Sequence, residues 1–201
     1  MNKVQFLNKS DQAKELFYLA TLLSNEVKEM LKEQGGIHLS RSPLLAQRPI
    51  TEFVRRIRID GMEKFNGPTL VAFVNFYRNV KEMHKTKVLG ALVFYVEEAY
   101  LPELLKKLQY PAIDYEDEAG LIDACGTLCN IVAGRFKSAM AKVGYKELEM
   151  SPFMSFKNTS INGVPFDPSQ EFKQEISYEI DQRKRIVVEL TMGPVPHENK
   201  K

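Results

Sequence analysis

Apolar residues recur at helical spacing between Ser10 and Gln34, where Leu16, Leu19, Leu23, Val27, Met30 and Leu31 share one face. Ser10 or Asp11 is suited to cap this first helix, and Gly35-Gly36 to stop it. The stretch 37–50 holds two prolines and no clear period, which predicts a loop excursion. From Thr51 the period changes to two. Phe53, Arg55, Ile57 and Ile59 alternate with Val54, Arg56 and Arg58, predicting a strand with one basic face. Gly61 to Pro68 reads as a turn region. Thr69–Tyr77 and Lys87–Val96 are two further β-rich runs joined by the polar segment Arg78 to Lys85. Three successive strands with short connections predict an antiparallel sheet.

Glu97 to Gln109 then predicts a short helix with Pro102 tolerated in its first turn. A long helix follows from about Glu116 to Val143, with the acids of Asp114–Glu118 at its positive end. The rest is extended around Pro152, turns at Asn162-Gly163, and ends in a hairpin of Glu171–Ile180 and Arg183–Met192. Residues 194–201 read as a flexible tail. The whole of 1–201 is expected to form one α+β domain, an antiparallel sheet with long helices packed against it.

The long helix carries the unusual pattern. At about 100° per residue, Asp123, Thr127, Asn130, Gly134 and Lys137 fall on one face, and Leu121, Cys125, Cys129, Val132, Phe136 and Val143 on the other. The second face is expected to be core and the first available. Asn130 is flanked by Gly126 and Gly134, each costing about 1 kcal/mol against alanine inside a helix. Close approach of another backbone is the plainest compensation.

Composition narrows the chemistry. The 201 residues are 44% hydrophobic and 27% charged with a formal net charge of +2, which demands neither a nucleic acid nor an anionic membrane as partner. The longest apolar run, Val88 to Val96, is far short of a bilayer span, and the charged residues that soon follow Met1 lead to the expectation of no signal peptide. Cys125 and Cys129 are read as small buried hydrophobes rather than a metal half-site, in a reduced cytoplasmic protein. No phosphate-binding glycine loop and no Gly-x-Ser-x-Gly elbow occurs. No cofactor or metal of the chain's own is expected.

An Asp or Ser, a Glu four residues on, an Asn three after that and a Pro about twenty-two further is the pattern of the CheC/CheX/FliY family of chemotaxis phosphatases. This sequence resembles it through Asp123, Asn130, the small-residue run Ile131 to Gly134, and Pro152, with Thr127 at the Glu position. The layout is similar to single-motif members such as CheX. The resemblance implies a CheX-like fold and a place in two-component signalling, bound to the phosphorylated receiver domain of a CheY-like response regulator. It further implies a hydrolase in which Asn130 holds the water that attacks the aspartyl phosphate, while Mg2+ sits on the receiver. Gly126, Gly134 and Lys137 are the expected partner-binding face, and a homodimer is compatible with the family. The other reading is a non-catalytic adaptor or dimerisation module whose site has degenerated at Thr127.

Overall fold

The computed structural model describes residues 9–193; the tail 194–201 lies outside them. In chain order its elements are α1 (Lys9–Gly35), β1 (Leu44–Pro49), β2 (Glu52–Phe53), β3 (Arg56–Asp60), α2 (Met62–Phe65), β4 (Thr69–Tyr77), α3 (Val80–His84) and β5 (Gly90–Glu97). There follow α4 (Leu101–Lys107), α5 (Glu118–Lys142), β6 (Glu149–Met150), β7 (Met154–Lys157), β8 (Thr159–Pro165), β9 (Phe172–Ile180) and β10 (Arg183–Met192).

The main sheet runs β1-β9-β10-β5-β4-β6, with β7 also paired to β4, and its pairings are antiparallel. Helices α1, α4 and α5 cover one face and share with it a large core that includes Leu23, Met30, Phe76, Phe94 and Phe136. A second, three-stranded sheet, β2-β3-β8, covers part of the other face. Ile57, Ile59, Val71, Phe73, Tyr95 and Val187 form a smaller core between the two sheets. Both faces of β4 are therefore apolar, and all nine of its residues are buried. That is why β4 and β5 read as near-continuous hydrophobic runs rather than as an alternation.

Several local expectations are corrected. The stretch 37–50, read as a loop, contains β1, an edge strand whose one ladder to β9 requires no buried alternation. The run Phe53–Ile59 is not one strand but a hairpin. Val54 and Arg55 both take positive φ, 50° and 57°, a turn that glycine or asparagine would normally occupy and that costs about 1–3 kcal/mol at a β-branched residue. The hairpin consequently lies in the second sheet, not in the sheet of β4 and β5. Gly61–Pro68 and Arg78–Lys85 each contain a short helix, α2 and α3. Asn162-Gly163 does not reverse the chain; it sits inside β8, where the ladder to β3 slips its register. Helix α1 already runs through Ser10 and Asp11 rather than starting after them. Its other end closes at the glycines: Gly36 has φ of 59°, and the Gly36 and Ile37 N–H groups donate back to the Lys32 and Leu31 carbonyls at 3.1 and 3.0 Å.

A charged cluster is buried beneath α2. Glu189 of β10 is 2% exposed. Its Oε1 accepts from Lys64 Nζ at 2.6 Å and pairs with Lys173 Nζ at 2.7 Å, while its Oε2 accepts from the Tyr95 hydroxyl at 2.7 Å. Lys64 also bonds Glu175. Burial alone pushes the Glu189 carboxyl up, but the two lysines outweigh it and hold it below the usual carboxylate range. One acid thus ties α2, β5, β9 and β10 together.

Candidate functional site

Helix α5 begins where the acidic run predicts. Asp117 is its N-cap, with Oδ1 accepting from Gly120 N–H at 2.9 Å, and Asp114 Oδ1 accepts from Glu116 N–H at 3.1 Å. These acids are engaged in holding the helix start. The inward face is packed as its spacing predicts: Leu121, Cys125, Cys129, Val132 and Phe136 are buried, and the Phe136 ring meets Phe76 of β4 edge-on at 5.7 Å. Burial pushes both thiols up, so they sit there as neutral apolar groups. Val143, expected in the core, is 40% exposed because α5 ends at Lys142.

The outward face is a stripe. Asp123 and Thr127 are exposed, and Asn130, Gly134 and Lys137 are half-buried. Neither Asp123, Thr127 nor the Asn130 carboxamide has a hydrogen-bond partner among the described residues. At Gly134 a Cβ would meet nothing within 4 Å, so this glycine leaves an open notch one turn beyond Asn130. Lys137 differs from the others, since its Nζ bonds Glu149 Oε2 at 2.7 Å and ties α5 to β6.

Gly126 is not on the open face at all. It is buried, and a Cβ there would come within 2.2 Å of Phe153. The compensation for a helical glycine is therefore a ring rather than a backbone. Phe153 follows Pro152 in the short segment between β6 and β7. Ser151 anchors that segment, its N–H donating to Asn75 O at 2.9 Å and its Oγ accepting from Asn75 N–H at 3.0 Å. Pro152 itself is exposed. The structure thus joins Pro152 to the helix through Phe153, one turn before Asn130. Phe153 and Glu149 are contacts of the candidate helix that the spacing pattern misses; the helical Gly126 signals that something packs there without saying what.

Gly126→Ala is expected to lower stability by about 1–3 kcal/mol, as overpacking displaces the ring. In a Phe153→Ala background the same change is expected to stabilise by about 1 kcal/mol through helix propensity. Urea unfolding of the double-mutant cycle checks the reversal of sign, and equal effects in both backgrounds would refute the packing account.

No family model matches the chain, and no curated protein sequence does. Solved structures do. A CheC-like superfamily protein from Shewanella sp. PV-4 superposes with a TM-score of 0.54 at 16% identity, covering 86% of this chain and 95% of that one. The chemotaxis protein CheX from Vibrio vulnificus gives 0.56 at 13% identity, over 86% and 97%. A CheX–CheY–BeF3–Mg2+ complex from Borrelia burgdorferi gives 0.52 at 12% identity, over 88% and 98%. In fold, the chain is of the type shared by the CheC-like, CheX and FliY chemotaxis proteins.

Proposed function

We propose that this chain is a CheX-like signalling protein that binds the phosphorylated receiver domain of a CheY-like response regulator. In this reading the outward stripe of α5 docks on the receiver, and Asn130 positions the water that hydrolyses its aspartyl phosphate. The observation that carries it is the Asn130 carboxamide, without a partner among the described residues on a stripe with Asp123 and Thr127, in a fold of which one structure is a CheX–CheY complex. A carboxamide offers an acceptor for the water's proton and a donor as well, without a negative charge to repel phosphoryl oxygens. Phosphoryl transfer needs little covalent help from the protein, so orienting a water and excluding bulk solvent carry much of the acceleration. The receiver would supply the aspartyl phosphate and hold the Mg2+; this chain supplies position.

A specific feature favours a second reading. Thr127, one turn before Asn130, carries no charge to pair with a receiver cation, and Gly126 is closed off by Phe153. A non-catalytic adaptor, alone or as a homodimer, would keep the fold and the docking stripe without hydrolysis. The decay of a phosphorylated receiver domain from the same organism separates the two. Wild-type protein is expected to accelerate decay and Asn130→Ala to return it to the rate of the receiver alone. Binding of the phosphorylated receiver without faster decay would establish the adaptor instead.

A further inference from the structure

A second surface lies away from the α5 stripe. The β2–β3 turn at Val54-Arg55 holds Phe53 and Val54 in solvent, 68% and 76% exposed. Register places Phe53 directly across from Arg56, so a ring and a guanidinium share one face of the hairpin. Facing them are the segment joining β6 to β7 and the first residue of β7, Met154, which is 58% exposed. Between the two runs an open groove of about 740 Å3 reaches down to Phe73, which is 4% exposed.

The groove has a definite electrostatic character. Among the described residues no carboxylate lines it, and Arg56 is the one charged residue of its lining. Arg56 makes a single long hydrogen bond, 3.4 Å to the Gly163 carbonyl. Among the described residues neither Arg55 nor Arg56 has a carboxylate partner, whereas Arg58 has Asp60 at 3.9 Å. An apolar trough with an unneutralised guanidinium at its edge complements a carboxylate flanked by apolar side chains. The concave form also selects the occupant: a chain can lie along the groove and reach Phe73, and a flat lipid surface cannot.

We infer that the groove between the β2–β3 hairpin and the β6–β7 segment docks an acidic, apolar-rich peptide segment of a partner protein. Arg56 takes the carboxylate, and Phe53, Met154 and Phe73 take the neighbouring side chains. The groove shares Pro152 and Phe153 with the segment that packs on Gly126, but neither Asn130 nor any other residue of the outward stripe lines it, so a protein bound there need not be the one bound at the helix.

Selection of phage-displayed random peptides on the full chain, with counter-selection on Arg56→Glu, tests this. Enriched peptides are expected to place Asp or Glu within two residues of Phe, Leu, Ile or Met. The Kd of the best one, read by fluorescence anisotropy, is expected to rise about tenfold or more in Arg56→Glu and in Phe53→Ser and to stay unchanged in Asn130→Ala. Both changed side chains are exposed, and an unaltered urea midpoint confirms that the variants fold. Failure to enrich peptides over the counter-selection, enrichment of sequences without acids, or a Kd indifferent to Arg56→Glu would overturn the proposal. So would sedimentation with phosphatidylcholine–phosphatidylglycerol vesicles that Phe53→Ser abolishes, which would assign the hairpin to a lipid surface.

Discussion

Glu189→Ala is expected to destabilise the protein by about 3–5 kcal/mol, the usual result of removing one partner from a buried charge cluster. The change leaves the Lys64 and Lys173 ammonium groups, whose side chains are 15% and 12% exposed, without the carboxylate that faces both. It also orphans the buried Tyr95 hydroxyl. Glu189→Gln keeps the shape and some of the hydrogen bonds, so its loss is expected to be smaller. The pH dependence has a fixed sign. The folded carboxyl sits below its unfolded value of about 4.3. Its contribution is therefore complete above that pH and is lost as pH falls through the folded value. Burial alone pushes Lys64 down, but Glu189 and Glu175 hold it above its ordinary value. Its share is complete below an unfolded value of about 10.4 and is lost as pH rises through the folded one. Urea unfolding of wild type and Glu189→Gln between pH 3 and 7 checks this. The gap between them should shrink toward acid, and a gap independent of pH would contradict the account.

On the proposed docking of α5 to a phosphorylated receiver domain, Thr127→Glu is expected to tighten binding by about thirtyfold or more, the low end of the 2–5 kcal/mol that an unpaired, desolvated interfacial charge costs. Thr127 is exposed and without a hydrogen-bond partner among the described residues one turn before Asn130, so an acidic side chain there replaces no existing hydrogen bond. Asp123 stands four residues earlier, and like charges at that spacing cost about 0.2–0.5 kcal/mol. The fold should therefore lose little while the complex gains. Thr127→Gln has the same reach without the charge and is expected to gain nothing. Titrations of the phosphorylated receiver with the three proteins decide the matter, and equal gains with Glu and Gln would exclude an ion pair as the cause.

The parts of this molecule that were legible in its sequence are those whose pattern is set by packing on a single partner. Helix α5 presents one continuous period, so Leu121, Cys125, Cys129, Val132 and Phe136 are buried while Asp123 and Thr127 face outward. The final hairpin, β9 and β10, is legible for a similar reason, with Asp181 and Gln182 turning at φ of 50° and 60°. The β2–β3 hairpin was hidden because Val54-Arg55 lacks the usual turn residues, and its strain is held by the second sheet and the core beneath it. Strand β1 was hidden because an edge strand with one neighbour needs no apolar alternation. At the site, Asn130 and Pro152 were visible as a spacing. What joins them was not, because a glycine at position 126 records that space is needed without recording whether a ring or a backbone fills it.

Strand β4 lies behind both surfaces. Leu70, Ala72, Val74 and Phe76 point to the helices, and Val71 and Phe73 to the second sheet. Phe76 carries the Phe136 ring of α5, while Phe73 and Asn75 line the groove. The groove and the helix that bears Asn130 therefore rest on opposite faces of one strand, so the backbone that floors the first also backs the second.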